Sequence, residues 1–114
     1  MTETQYISKI LRPFLISLGF RKIHKSSERF KSGWPDLTCI SENGMTAYIE
    51  AKVYPNKITP IQRNELMELA QCNSPVYVLT WYPKGKTNLI AKIAKNGDEI
   101  IIDQHLFERW WKND

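Results

Sequence analysis

Apolar residues in the first twenty positions recur with helical spacing. Ile7, Ile10, Leu11, Phe14, Leu15 and Leu18 fall at i, i+3, i+4, i+7, i+8 and i+11, the single stripe that an amphipathic helix lays against a core. Gly19 ends the stripe. Pro13 sits inside it, lacks a backbone donor and crowds residue 9, so the helix is expected to kink or split there. The period then changes. Residues 20–24 predict a short strand, and the polar, basic run 25–33 predicts a loop within reach of a polyanion. Residues 37–40 and 45–53 read as two strands, and Ser41-Glu42-Asn43-Gly44 between them has the turn chemistry that closes a β-hairpin. Along the second strand Ala47, Ile49, Ala51 and Val53 share the face suited to packing under a helix, while Tyr48, Glu50 and Lys52 share the opposite one.

The second half alternates again. Thr59-Pro60-Ile61-Gln62 supplies an N-cap, a proline at the first helical position and a glutamine at the third, so a helix should start there and run to about Gln71. Residues 76–82, 88–94 and 99–103 predict three strands, with Asn96-Gly97 turning the last two into a hairpin. A short helix carrying Leu106, Phe107, Trp110 and Trp111 closes the chain. The tryptophan pair is expected to cover the sheet or a dimer partner. No repeat, low-complexity segment or linker interrupts the pattern.

Composition narrows the picture. With 114 residues, 42% of them hydrophobic and 11% aromatic, residues 1–114 can form one domain around a single core. The balance of 16 Lys plus Arg against 12 Asp plus Glu gives a formal charge of +4, which modestly favours a polyanionic partner. Cys39 and Cys72 lack the paired spacing of a zinc site or a disulfide framework. They are expected to be buried, reduced thiols. There is no signal-like n-region and no apolar run of membrane-spanning length, so the expectation is a soluble cytoplasmic protein without a membrane partner.

The candidate chemistry lies in two clusters, Gly33-Trp34-Pro35-Asp36 and Glu50-Ala51-Lys52. The predicted hairpin would bring Asp36, at the start of its first strand, close to Glu50 and Lys52. Hydrolysis of a phosphodiester needs in-line attack by water and stabilisation of the charge that builds on the phosphoryl oxygens. Two carboxylates suit a magnesium ion there, so Asp36 and Glu50 are candidate ligands, and strand geometry offers the Ala51 carbonyl as a third. Lys52 is the candidate to orient the water and offset developing charge. His24 and His105 stand in no recognisable ligand spacing. Singly, each residue has a plainer account, since Glu-x-Lys is common on solvated strand faces and Pro-Asp is ordinary turn chemistry. Their order, with a hairpin between the clusters and a capped helix with an early Gln after them, is far more specific.

In that order the chain resembles the VRR-NUC family of the PD-(D/E)xK nuclease superfamily, and most closely its small stand-alone, Holliday-junction-resolvase-like members. Gly33-Trp34-Pro35-Asp36-Leu37, Tyr48-Ile49-Glu50-Ala51-Lys52 and Ile58-Thr59-Pro60-Ile61-Gln62 carry the likeness, which covers about residues 3–80. The resemblance implies an α/β, restriction-endonuclease-like three-layer core, a mixed β-sheet flanked by helices in the order αβββαβ, here followed by a C-terminal β-hairpin and short helix. It implies a magnesium- or manganese-dependent endodeoxyribonuclease of DNA repair, a hydrolase acting as a homodimer on branched DNA such as four-way junctions. Asp36 and Glu50 match the metal carboxylates, Lys52 the catalytic lysine and Gln62 the glutamine at the edge of the site. Relatives often add a Glu on the first helix; here Ser8 stands near that place, and Glu3, about one turn earlier, is the candidate. Gln62 serves equally well as half of a capping box. Lys22, Lys25, Arg29, Lys31, Lys57 and Arg63 flank the motifs as candidate phosphate contacts, against the plainer account of solvated surface charge. Trp34 would either stack on a base or pack on the domain. The alternative function is a DNA-binding module of the same fold that does not cut. A purely structural subunit would instead leave Asp36, Glu50 and Lys52 as surface charges.

Overall fold

The structure, a computed structural model, describes residues 1–26, 32–84 and 87–112, with only the backbone described for 87 and 110–112. The chain opens with a helix that begins earlier than its apolar stripe. Thr2 Oγ1 accepts a hydrogen bond from the Gln5 N–H at 3.1 Å, and Gln5 Oε1 accepts one from the Thr2 N–H at 2.9 Å. This capping box starts α1 (Glu3–Tyr6). A π-helical turn follows over Ile7–Leu11, then α2 (Arg12–Ser17). The kink or split expected at Pro13 takes the form of this π turn, which divides the helix just ahead of the proline. The backbone stays right-handed helical at Tyr6, Ile7, Leu11 and Arg12, and the Arg12 N–H reaches back five residues to the Ile7 carbonyl. The wider turn lets the helix pass a proline that cannot donate to residue 9.

Six strands follow: β1 (Phe20–Lys25), β2 (Leu37–Ser41), β3 (Thr46–Val53), β4 (Val76–Tyr82), β5 (Thr87–Ile93) and β6 (Glu99–Ile102). They form one sheet in chain order. Every neighbouring pair is antiparallel except β3 and β4, which are parallel. A parallel pair needs a crossover, and α3 (Pro60–Gln71) supplies it. The β5–β6 hairpin turns at Gly97, with φ +89°, and widens the same sheet. Finally, α4 (Gln104–Lys112) returns across it.

Both faces of the sheet are covered. One carries the larger core: Tyr6, Ile7, Leu11 and Leu15 from the N-terminal helix and Phe107 from α4, against Ala47, Ile49, Ala51, Tyr77, Leu79 and Ile90. The other packs Leu66 and Ala70 of α3 on Val76, Val78, Ala91 and Ile93. Each large side chain buried this way contributes about 1.5–3 kcal/mol. Together these contacts allow β3 to hold charged groups out of water.

Cys39 is buried, and burial pushes its thiol up to about 12. Cys72, expected inside, is exposed because it sits at the C-terminal cap of α3, past the helix's last buried turn. No described helix is long and apolar enough to cross a membrane.

Candidate active site

The site forms where β2 and β3 part. Their pairing ends at Leu37 opposite Ile49, yet β3 continues to Val53, still paired with β4 through Val53 opposite Trp81. The Ala51 N–H therefore faces an edge that β2 has left. Asp36, one residue before β2, fills it: its Oδ2 accepts the Ala51 N–H at 2.9 Å. A strand residue turns its N–H and C=O to the same edge, so the Ala51 carbonyl shares the side that Asp36 occupies.

Glu50 and Lys52 flank this edge on the α3 face of the sheet. That face is no solvated surface, as Glu50 is 1% and Lys52 6% exposed. Lys52 Nζ lies 3.5 Å from Glu50 Oε2 and 3.9 Å from Glu3 Oε2. Burial first, and the nearby Asp36 charge second, push the Glu50 carboxyl from 4.5 up to about 8, against the pull of Lys52. The two oxygens of Glu50 differ. Oε2 takes the Lys52 contact and accepts from Gln62 Nε2 at 3.1 Å, whereas Oε1 is buried and has no hydrogen-bond partner among the described residues.

Gln62 serves two roles at once. Its Oε1 accepts the Thr59 N–H at 2.9 Å while the Thr59 hydroxyl accepts the Gln62 N–H at 3.1 Å, completing the capping box, and its Nε2 remains free to reach Glu50. Gly33 makes this approach possible. It has φ +86°, and a Cβ there would lie 2.8 Å from the Ile61 carbonyl oxygen in the first turn of α3. The Gly33-to-Asp36 segment thus packs directly on the helix end that presents Gln62.

Asp36, Glu50, Ala51, Lys52 and Gln62 are brought together, and Glu3 joins them at the lysine. Among the described residues no three His, Cys, Asp or Glu side chains are grouped so as to hold an ion. A metal here would rest on fewer side-chain ligands, as magnesium commonly does. Sequence reasoning missed how Glu3 is positioned, although Thr2-x-x-Gln5 carries the same capping signal as Thr59-x-x-Gln62.

The flanking candidates disperse. Trp34 packs edge-on against Tyr48, ring centroids 5.8 Å apart. Arg63 is turned away, donating to the Gly97 carbonyl at 2.5 Å and pairing with Glu99 at 2.8 Å. Lys22 and Lys25 are exposed on β1, and Lys57 is exposed on the loop before α3. Arg29 and Lys31 lie outside the described residues, as do the side chains of Trp110 and Trp111.

The family described as the VRR-NUC domain matches residues 2–81 of the chain. Twelve chains of solved structures match. One is Hjc, a Holliday junction resolvase from the archaeal hyperthermophile Archaeoglobus fulgidus, with a TM-score of 0.57 and 16% identity over 85% of this chain and 88% of that one. At that identity the likeness is one of fold. No curated protein matches the chain.

Proposed function

This chain belongs to the VRR-NUC family, and from that premise we propose that it is a divalent-metal-dependent, structure-selective DNA endonuclease acting on branched DNA such as four-way junctions. The observation that carries the reading is Glu50: a buried carboxylate with one oxygen held by Gln62 and Lys52 and the other without a partner among the described residues, beside Asp36. A buried, unpartnered carboxylate oxygen is costly, and a hard cation is the partner that would satisfy it. The donor set fits magnesium or manganese. Asp36, Glu50 and the Ala51 carbonyl would hold the ion. When bound, it would supply a Lewis acid for the phosphoryl oxygens.

The remaining steps belong to the chain's own residues. Gln62 fixes Glu50 Oε2, so that Oε1 would be the oxygen open to the ion. Lys52 stands between Glu50 and Glu3, which hold its ammonium as a fixed positive charge. From there it orients the attacking water and offsets charge on the phosphoryl group. Asp36 is braced by the Ala51 N–H. Cutting both strands of a junction takes two such sites, so the reading includes a homodimer.

Labelled four-way junction, flap, duplex and single-stranded DNA, incubated with magnesium, manganese or chelator, test the proposal. Cleavage should require metal and fall about 100-fold or more in Lys52→Ala and Asp36→Ala protein. Undiminished cutting by either variant overturns the assigned site. Tight binding with no cutting under any metal identifies a binding module instead.

A further inference from the structure

A cleft of 240 Å³ opens beside the site on the same face of the sheet, and of its lining only Lys52 has a part in the catalytic roles above. Lys52, Tyr54, Asn56 and Lys57 line it together with Thr80 and Tyr82 of β4, Glu99 of β6 and aliphatic side chains of β4 to β6. The register explains the arrangement. Lys52 is opposite Thr80, and Tyr82 follows two residues later on the same face. Tyr54 is anchored by its N–H, which donates to the Trp81 carbonyl at 2.9 Å. The residue nonetheless remains 53% exposed, with its ring tilted 32° to that of Tyr82 and centroids 4.8 Å apart.

The geometry points to a subsite for an unpaired nucleobase: the base of a nucleotide next to the phosphate held at Asp36, Glu50 and Lys52 enters this cleft and stacks on the Tyr54–Tyr82 pair, with Lys57 against the backbone. Placing the phosphate at the fork rests on the nuclease reading. Three features favour this occupant. The cleft shares Lys52 with the catalytic site, its cations Lys52 and Lys57 match a phosphodiester while its carboxylate, Glu99, is paired with Arg63, and its aromatic pair offers a π surface to a flat ring. A base within a duplex is already stacked and cannot enter without being extruded, whereas a base at a flap or branch point is free to do so. Stacking accepts any base. The subsite therefore selects for DNA structure without reading sequence.

The test uses a flap DNA whose unpaired arm carries one abasic residue, moved stepwise from the branch point. Binding is followed by fluorescence anisotropy in chelator and cleavage with magnesium, for wild type, Tyr54→Ala and Tyr54→Phe. Circular dichroism melts confirm that each variant folds. Tyr54→Ala should weaken binding to the intact flap by about 5- to 150-fold, and Tyr54→Phe should restore it. Binding to fully paired duplex should not change. At one abasic position wild type should lose the same factor, and Tyr54→Ala should lose nothing further. Losses that add at every position, or no loss at all, overturn the subsite. A Tyr54→Ala effect on self-association alone assigns the cleft to a second copy of the chain and also overturns it. The two proposals fail separately. Wild-type cleavage matched by Tyr54→Ala removes the subsite and leaves the nuclease, while base-dependent, Tyr54-dependent binding without cleavage under any metal does the reverse.

Discussion

Replacing Glu50 with Gln should change how the stability of the metal-free protein depends on pH. In the folded chain the Glu50 carboxyl is raised from 4.5 to about 8, chiefly by burial and then by Asp36. In the unfolded chain it returns to its ordinary range. Between those values the folded state keeps a proton that the unfolded state releases, so raising the pH favours unfolding. The contribution is complete below pH 4.5 and gone once the pH has passed about 8. At about 1.4 kcal/mol per pH unit, this window amounts to at most about 5 kcal/mol, a large part of a small domain's typical stability. At 1% exposure, Glu50 has little solvent screening to reduce it. Glu50→Gln abolishes the titration yet leaves an oxygen to accept from Gln62. Urea denaturation of both proteins in chelator, from pH 4.5 to 8.5, measures the difference. Wild type should lose ground to the variant steadily, reaching several kcal/mol by pH 8. Parallel curves would refute the reasoning, because they would mean that Glu50 titrates alike in the folded and unfolded chains. Under the proposed function, magnesium should restore wild-type stability most strongly at the alkaline end, where the carboxylate is ionised.

Gly33→Ala should destabilise the fold by about 1–3 kcal/mol or more in urea denaturation, since it combines a left-handed backbone with a Cβ against the Ile61 carbonyl. Gln62→Leu removes both a cap acceptor and the donor to Glu50; it should cost about 1–3 kcal/mol and lower cleavage more than an N-cap change at Thr59 of equal stability cost. Arg63→Ala should cost under about 1 kcal/mol, as its partner Glu99 is a surface residue, and should leave the salt dependence of DNA binding unchanged. By contrast, Lys25→Ala and Lys57→Ala should each reduce the salt slope by about one if they contact phosphate.

Much of this fold was legible because its signals are local. The apolar stripe from Ile7 to Leu18, the Thr59 capping box, the Ser41 to Gly44 turn and Asn96-Gly97 all specify structure within a few residues, and each appears where expected. The departures come from tertiary packing or from competing local signals. Pro13 predicts a kink or split but not its form, a π turn over Ile7–Leu11 that ends ahead of the proline while Leu11 and Leu15 on either side stay buried in the core. Alternation assigned Glu50 and Lys52 correctly to one face but could not show that α3 covers it, because the pattern Tyr-x-Glu-x-Lys reads as a wet surface. Parallel pairing with β4 supplies the missing information, as strands in that setting are buried on both faces. Arg63 looked like a DNA contact because it follows Gln62. Helical rotation points it instead toward the β5–β6 turn, where Glu99 meets it.

The charge arrangement links the fold to the proposed chemistry. Glu3 and Glu50 flank the ammonium of Lys52 and the charge of Asp36 bears on Glu50, so with every group ionised three negative charges stand near one positive among these residues. Glu3 is partly exposed, but at the buried Glu50 the excess costs more than it would in water. Without metal, the raised carboxyl of Glu50 provides the relief: it keeps a proton at neutral pH and removes one negative charge. A divalent cation on the proposed reading would remove the remainder, and it would bind the same carboxyl that the proton occupies. Proton and ion therefore compete. Metal binding near pH 7 should release close to one proton, and apparent affinity should rise up to tenfold per pH unit until about pH 8. Calorimetry in buffers of different ionisation enthalpy measures that proton directly. Metal binding without proton release would mean that the ion sits elsewhere and that Glu50 is only a buried acid.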